Sequence, residues 1–472
     1  MYDLVIHGGY VMDPESGLAD YRDVAVADGV IACVSPACLT HARREIDAAG
    51  HLVTPGLIDI HSHVEGHPYC AALSLRQGVT TAVCGNCGLS PVDMADFFQE
   101  QERMGFCLNQ AVFVGHSFTL RRQAGADDPH RPATRAQIAR MVDLAEKALD
   151  EGACGVSLGL GYAPGCSDLE ARSLTEVAAR RGLMVPVDTR MFTPVDVYSL
   201  VEVLNLARST RARMMVSHFV YQYSGQAMPE ALLLVDYARR EGLDVWMDSG
   251  MYTCWATFIG SAPFQEEYLP DADSFHHIVM CTGPHKGAVL DRESYRHMRA
   301  CHADDSAIFM TGDKGDIYDC LARDYCMPSS DAGAYPVGEG HPQIAGTFPR
   351  YFRKSVREHR ILSPMEAVRK ATLLPAQLLG LSRKGRLGEG MDADLMVFDM
   401  ERITDGAGYL PTRRPDAPPE GVDYVVVGGR LAVDHNQILC ADAGRCIRFD
   451  DRMGRPARTD ANAPCVPGAQ AV

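Results

Sequence analysis

A short apolar run ending in two histidines constrains this chain more than any other stretch. Leu57, Ile58 and Ile60 follow Pro55-Gly56, a start signal, and lead into His61-Ser62-His63. Residues i and i+2 of a strand point the same way. Two imidazoles side by side at the end of a buried strand can take two positions around one metal ion. A His-x-His on a solvated surface strand is common and carries no such meaning. The apolar lead-in argues against that bland reading.

The pattern around this run repeats. Strand-like segments occur at Thr80–Val83, Ala111–Gly115, Gly155–Leu158, Met184–Val187, Met214–Ser217 and Asp244–Met247, with Ile278–Met280 and the segment before Asp331 as the last candidates. Helical patterns at Arg135–Asp150, Leu174–Arg181 and Glu230–Glu241 fall between them. Repeating βα units imply a parallel sheet with helices outside, and about eight strands favour an α/β fold of the closed (β/α)8 type. Chemistry in such barrels sits at the C-terminal ends of the strands. His61, His63, Cys87, Asp188, His218 and Asp331 all fall there.

The chain ends read differently. Asp3–Tyr10 alternates with strand period and closes on Gly-Gly, and Asp23–Val26 followed by Asp28-Gly29 continues it. Ala393–Asp399 and Tyr424–Arg430 are strand and hairpin segments far away in sequence, and the simplest arrangement pairs the two halves. The expected organisation is a β-sandwich half at 1–52, treated as antiparallel, a barrel at 53–384, the second sandwich half at 385–450 and a tail at 451–472.

A net charge of -16 argues against non-specific binding to nucleic acid or an anionic membrane. No apolar run is long enough to span a bilayer, and the N-terminus lacks a signal-peptide pattern, so a cytoplasmic protein is expected. The 16 cysteines show no framework spacing and read as reduced thiols. Cys84 and Cys87 form a Cys-x-x-Cys, but no second pair accompanies them to complete a structural zinc site.

Val79–Ser90, with Cys84-Gly85-Asn86-Cys87-Gly88 inside it, resembles the signature of the N-acyl-D-amino-acid deacylases, the D-aminoacylases of the amidohydrolase superfamily. The likeness continues through Phe113-Val114-Gly115-His116, Gly155–Gly165, Gly346-Thr347-Phe348-Pro349-Arg350 and Ala367–Leu395, and covers residues 1 to about 435. It implies the barrel, a split β-sandwich and a zinc-dependent amide hydrolase. Many binuclear amidohydrolases bridge two metals with a carboxylated lysine on the fourth strand. Val156–Gly161 has no lysine, which leaves the Cys87 thiolate for that task. His218 matches the sixth-strand ligand, and Asp331 the eighth-strand aspartate that binds metal and acts as general base. Tyr162 remains as a donor to the scissile carbonyl; its bland alternative is packing at the barrel rim.

The chain also departs from the pattern. Asp188 stands where the family has histidine. Cys, Asp and His as ligands bring a charge of about -2, one more than Cys, His and His, so the bound water is less acidified and the site is nudged from zinc toward iron or manganese. The alternative is a ligand lost, with Asp188 beside the site. Val220 and Gln343 replace the lysine and arginine implied to hold a substrate carboxylate. Losing both removes charge-assisted hydrogen bonds of roughly 1.5–3 kcal/mol each, with Arg190 the nearest replacement by position. The expected activity is hydrolysis of a small-molecule amide by water activated on one or two zinc ions. A cyclic-amide hydrolase of hydantoin or dihydropyrimidine type and a ligand-binding barrel without turnover are the alternatives. A homo-oligomer is compatible with the sequence. Residues 254–310 fall where the family carries an insertion over the active site.

Overall fold

The structure is a computed structural model and describes residues 1–38, 41–190, 197–269 and 273–449. Eight parallel strands form its centre, numbered here β1 Leu57–Asp59, β2 Val79–Cys84, β3 Asn109–Val112 with Val114–Gly115, β4 Val156–Gly159, β5 Met184–Asp188, β6 Arg213–Val216, β7 Val245–Ser249 and β8 Cys326–Pro328. Each pairs with the next in parallel. Their buried Val, Ile, Leu and Met side chains follow from being covered on both faces. The ring closes between its first and last members: the Asp331 N–H donates to the His61 carbonyl, and the His63 N–H to that of Ala332, both at 2.8 Å. Helices such as Met94–Met104, Arg135–Asp150 and Asp168–Arg180 lie between the strands. The last begins at its cap Ser167, seven residues before the expected Leu174, because Ser167 accepts the Glu170 N–H.

The two chain ends form one nine-stranded sheet, in which Leu52–Pro55 joins Tyr2–Asp13 on one side and Leu395–Phe398 on the other. Period-2 alternation divides its residues. Leu395 and Val397 share a core with Leu4, Ile6, Val24 and Val26, while Met396 and Phe398 face the barrel's core.

Four expectations need correction. The N-terminal half is mixed, since Ala42–Asp47 and Leu52–Pro55 both run parallel to Tyr2–Asp13. Leu52–Pro55 belongs to that sheet, which moves the barrel's start to Gly56. Ile278–Met280 is no barrel strand: β7 pairs directly with β8, and Ile278–Met280 joins Trp255–Phe258 and Ser306–Phe309 in a separate three-stranded antiparallel sheet. That sheet is the inserted segment at 254–310. Finally, residues 444–449 leave the terminal sheet and run along the barrel, where the Gln110 N–H donates to the Arg445 carbonyl and the Ile447 N–H to that of Gln110. The tail at 451–472 lies outside the described residues. No helix among those described is long and apolar enough to cross a membrane.

Candidate metal centre

Barrel closure assembles this site. The same backbone bond that ties Asp331 to His61 brings the β8 carboxylate against the β1 imidazoles. Asp331 Oδ1 lies 3.5 Å from His61 Nε2 and 3.4 Å from His63 Nε2. Cys87 Sγ, beyond β2, lies 3.3 Å from His61 Nε2 and 3.5 Å from His218 Nε2. Two triads result, His61–His63–Cys87 and Cys87–Asp188–His218, each with its ligand atoms within 4.8 Å of one another. Cys87 belongs to both. The six residues named from the sequence therefore meet, Asp188 included.

Three of the six sit on left-handed backbone: Cys87 at φ 52°, His218 at φ 34° and Asp331 at φ 50°. Non-glycine residues hold that region at a cost of order 1–3 kcal/mol each, and only where surrounding structure fixes them. The fourth strand cannot contribute a side chain here. A Cβ on Gly159 would stand 2.1 Å from the Cys87 carbonyl oxygen, so the space a fourth-strand ligand would use is filled by the Cys87 loop.

A second layer orients the first. Asp248 on β7 is fully buried; its Oδ2 lies 3.4 Å from His61 Nδ1, and its Oδ1 accepts the His218 N–H at 3.0 Å and the Ser329 hydroxyl at 2.5 Å. Gln222 Nε2 donates to Asp188 Oδ1 at 2.8 Å. Neither was singled out as a site residue from the sequence. Asp248 carried a readable signal, because it ends a barrel strand as the other site residues do.

The electrostatics call for a cation. Burial drives the Asp188 carboxyl up to about 7, with the neighbouring Asp331 charge adding to it. Burial likewise pushes the Cys87 thiol well above its ordinary value, helped by Asp188, Asp331 and Asp248. Burial opposes charge on His61 and Asp331 as well, but Asp248 lifts His61 to about 9, and the His63 hydrogen bond with the His61 and His218 charges holds Asp331 near 2. Burial lowers His218 to about 4. A thiol and two carboxylates converging with three imidazoles can all be unprotonated together only around positive charge, and this is a donor set that fits zinc or a similar divalent ion.

A cavity of about 560 Å³ opens above the cluster. His63, Cys87, Asp188, His218 and Asp331 form its floor, and Tyr162 stands on its wall with its hydroxyl donating to Thr257 Oγ1 at 2.8 Å. Burial keeps that phenol protonated. Glu65 and His67 also line the cavity.

Of the four residues expected at the substrate, Tyr162 lines the cavity and the other three are placed elsewhere. Arg190 does not line the cavity; it grips Glu202 through two nitrogens at 2.8 and 3.0 Å and donates to the carbonyls of Pro164 and Cys166, both at 2.7 Å. Four of its five N–H groups are taken by these contacts, which hold it away from the cavity. Val220 is buried in the core, and Gln343 lies beneath the floor, donating to the Asp331 carbonyl and accepting from Tyr221 at 3.2 Å. Gln343 thus braces the end of β8.

Amidohydrolase family models match residues 52–189 and 327–433. An N-acyl-D-glutamate deacylase of Alcaligenes xylosoxydans xylosoxydans is 31% identical over 485 residues, covering 95% of this chain and 97% of the relative. A D-aminoacylase of the same organism is 28% identical, covering 94% and 97%. The crystal structure of N-acyl-D-glutamate deacylase from Bordetella bronchiseptica, complexed with zinc and a phosphonate inhibitor, superposes with a TM-score of 0.84 at 27% identity, covering 95% of this chain and 100% of that one. The chain belongs to the D-aminoacylase (N-acyl-D-amino-acid deacylase) family of the amidohydrolases and is a hydrolase of amide bonds.

Proposed function

We propose that this chain cleaves the amide bond of a small N-acyl compound lacking a free carboxylate, using one or two zinc ions held by His61, His63, Cys87, Asp188, His218 and Asp331. The observation that carries the metal reading is the sharing of Cys87 between two triads under an open cavity. A divalent ion held by these residues would supply an acidified water and a Lewis acid for the carbonyl oxygen. Asp331 faces the cavity as a carboxylate and takes the proton of the attacking water, then returns it to the leaving nitrogen. Tyr162, protonated and on the wall, turns its hydroxyl from Thr257 to the carbonyl oxygen as negative charge develops there. The free thiols of the described cysteines fit a reaction in the cytoplasm.

Elemental analysis of wild type beside Asp188→Ala tests the ligand set. Wild type is expected to hold one to two equivalents of zinc, and the variant to lose part of it. Equal metal in both proteins would take Asp188 out of the set, and a wild type without metal after growth in supplemented medium would end the hydrolase mechanism. Tyr162→Phe is expected to keep its metal and lose roughly 10²–10³-fold in kcat, the effect of removing one oxyanion donor. A kcat within threefold of wild type would reduce Tyr162 to a packing residue.

A further inference from the structure

The cavity wall carries no lysine and no arginine among the described residues, and the internal stretches outside them, 39–40, 191–196 and 270–272, contain none either. Its charged groups beyond the metal cluster are Glu65 and Glu100. Among the described residues, an anionic substrate would meet carboxylates with no lysine or arginine to answer them.

What the wall offers instead is apolar. Helix Met94–Met104 contributes Phe97 and Met104 on one side, and the inserted sheet contributes Trp255 and Phe258 on the other. The apolar lining continues to the mouth, where Phe258 is 42% exposed and Met104 60%. Large hydrophobic side chains held partly in water beside a deep apolar channel mark a surface waiting for an apolar partner. The channel is continuous with the metal cluster, so what fills it is attached to the reacting amide.

Resting on the hydrolase reading above, we infer that the substrate is an uncharged amide with a long apolar arm. The arm runs from the reacting carbonyl, between Phe97 and Met104 on one wall and Trp255 and Phe258 on the other, and ends at the mouth. Specificity then comes from burying methylenes, where the family pattern implied capture of a carboxylate.

Two substrate series test this on zinc-loaded protein: p-nitroanilides acylated from acetyl to decanoyl, and N-acetylated n-alkylamines from methyl to octyl. In one of them kcat/KM is expected to rise about two- to fourfold per methylene over at least four methylenes. Phe258→Ala and Met104→Ser are expected to lower the ratio of longest to shortest substrate severalfold. N-decanoyl-D-leucinamide should be cleaved at least tenfold better than N-decanoyl-D-leucine, which differs by one carboxylate. Binding has its own readout. The chain has two tryptophans, and Trp246 stands apart under the Arg239 guanidinium at 4.3 Å, so in Trp246→Phe the fluorescence reports Trp255 alone. 1-Octanol is expected to perturb it at least tenfold more tightly than 1-butanol.

Short amides cleaved with a flat length dependence, equal binding of the two alcohols, or a preference for the free acid would overturn the apolar arm and leave the hydrolase standing. A zinc-loaded protein that cleaves no member of any series would overturn the hydrolase reading beneath it.

Discussion

Replacing Asp331 with asparagine is expected to lower kcat by roughly 10²–10⁴, the contribution of a positioned acid–base group. Asparagine keeps the volume and one carbonyl-type oxygen but cannot accept a proton at catalytic cost. The site makes the carboxylate form the resident one. Burial favours the neutral acid, yet without metal the hydrogen bond to His63 and the neighbouring imidazoles hold Asp331 at about 2, and a divalent ion bound there would favour the carboxylate as well. Its backbone is fixed twice, by the bond to His61 and by Gln343 from below, so the substitution changes chemistry more than position. Turnover should be measured with zinc at saturation beside the bound-metal content. A variant that keeps its metal and its turnover would remove Asp331 as the proton acceptor. One that loses metal as well would make its ligand role the dominant one.

The barrel and its ligands were legible because both depend on local pattern. Strands β1 to β7 announce themselves as apolar runs between turn signals, and the C-terminal end of a parallel strand is where a barrel keeps its chemistry. Six polar residues could thus be placed at strand ends, and the family resemblance marked Asp188, His218 and Asp331 among them as ligand positions. Pairing is not local, and there the reading failed. Ile278–Met280 is as apolar as any barrel strand, and only its partner, Ser306–Phe309, shows that it belongs to the insertion. Arg190 lies two residues after Asp188 and would share its direction if the strand continued. β5 ends at Asp188, and the side chain turns to Glu202 in helix Tyr198–Thr210. The left-handed backbone at Cys87, His218 and Asp331 has no signature either, since none is a glycine.

Glu170→Gln is expected to destabilise the fold by about 3–5 kcal/mol, because it leaves a buried guanidinium without its counter-charge. Glu170 is fully buried beyond β4, where it accepts from His116 Nε2 at 2.9 Å and Arg121 Nη1 at 2.5 Å. Arg121, 1% exposed, also donates to the carbonyls of Asp128 at 3.0 Å and Arg131 at 2.8 Å, so the pair pins the loop after β3. His116, Cys166 and Glu170 form a third group with ligand atoms within 4.8 Å, but Arg121 already supplies the positive charge a metal would bring. pH gives a second readout. Burial would raise Glu170, yet His116 and Arg121 hold it below its ordinary value, so its contribution is present above about pH 4.5 and is lost as pH falls through the lowered folded value. Burial lowers His116, so below about pH 6.5 the unfolded chain takes a proton that the folded chain refuses, and stability falls on that side too. Denaturant midpoints of wild type and variant should therefore lie far apart from pH 7.5 down to about pH 4.5, and approach each other only below that, as pH falls through the lowered folded value of Glu170. A gap that stays constant as pH falls from about 4.5 through that lowered value would mean the charge of Glu170 is not what holds Arg121, and that the two loop carbonyls suffice.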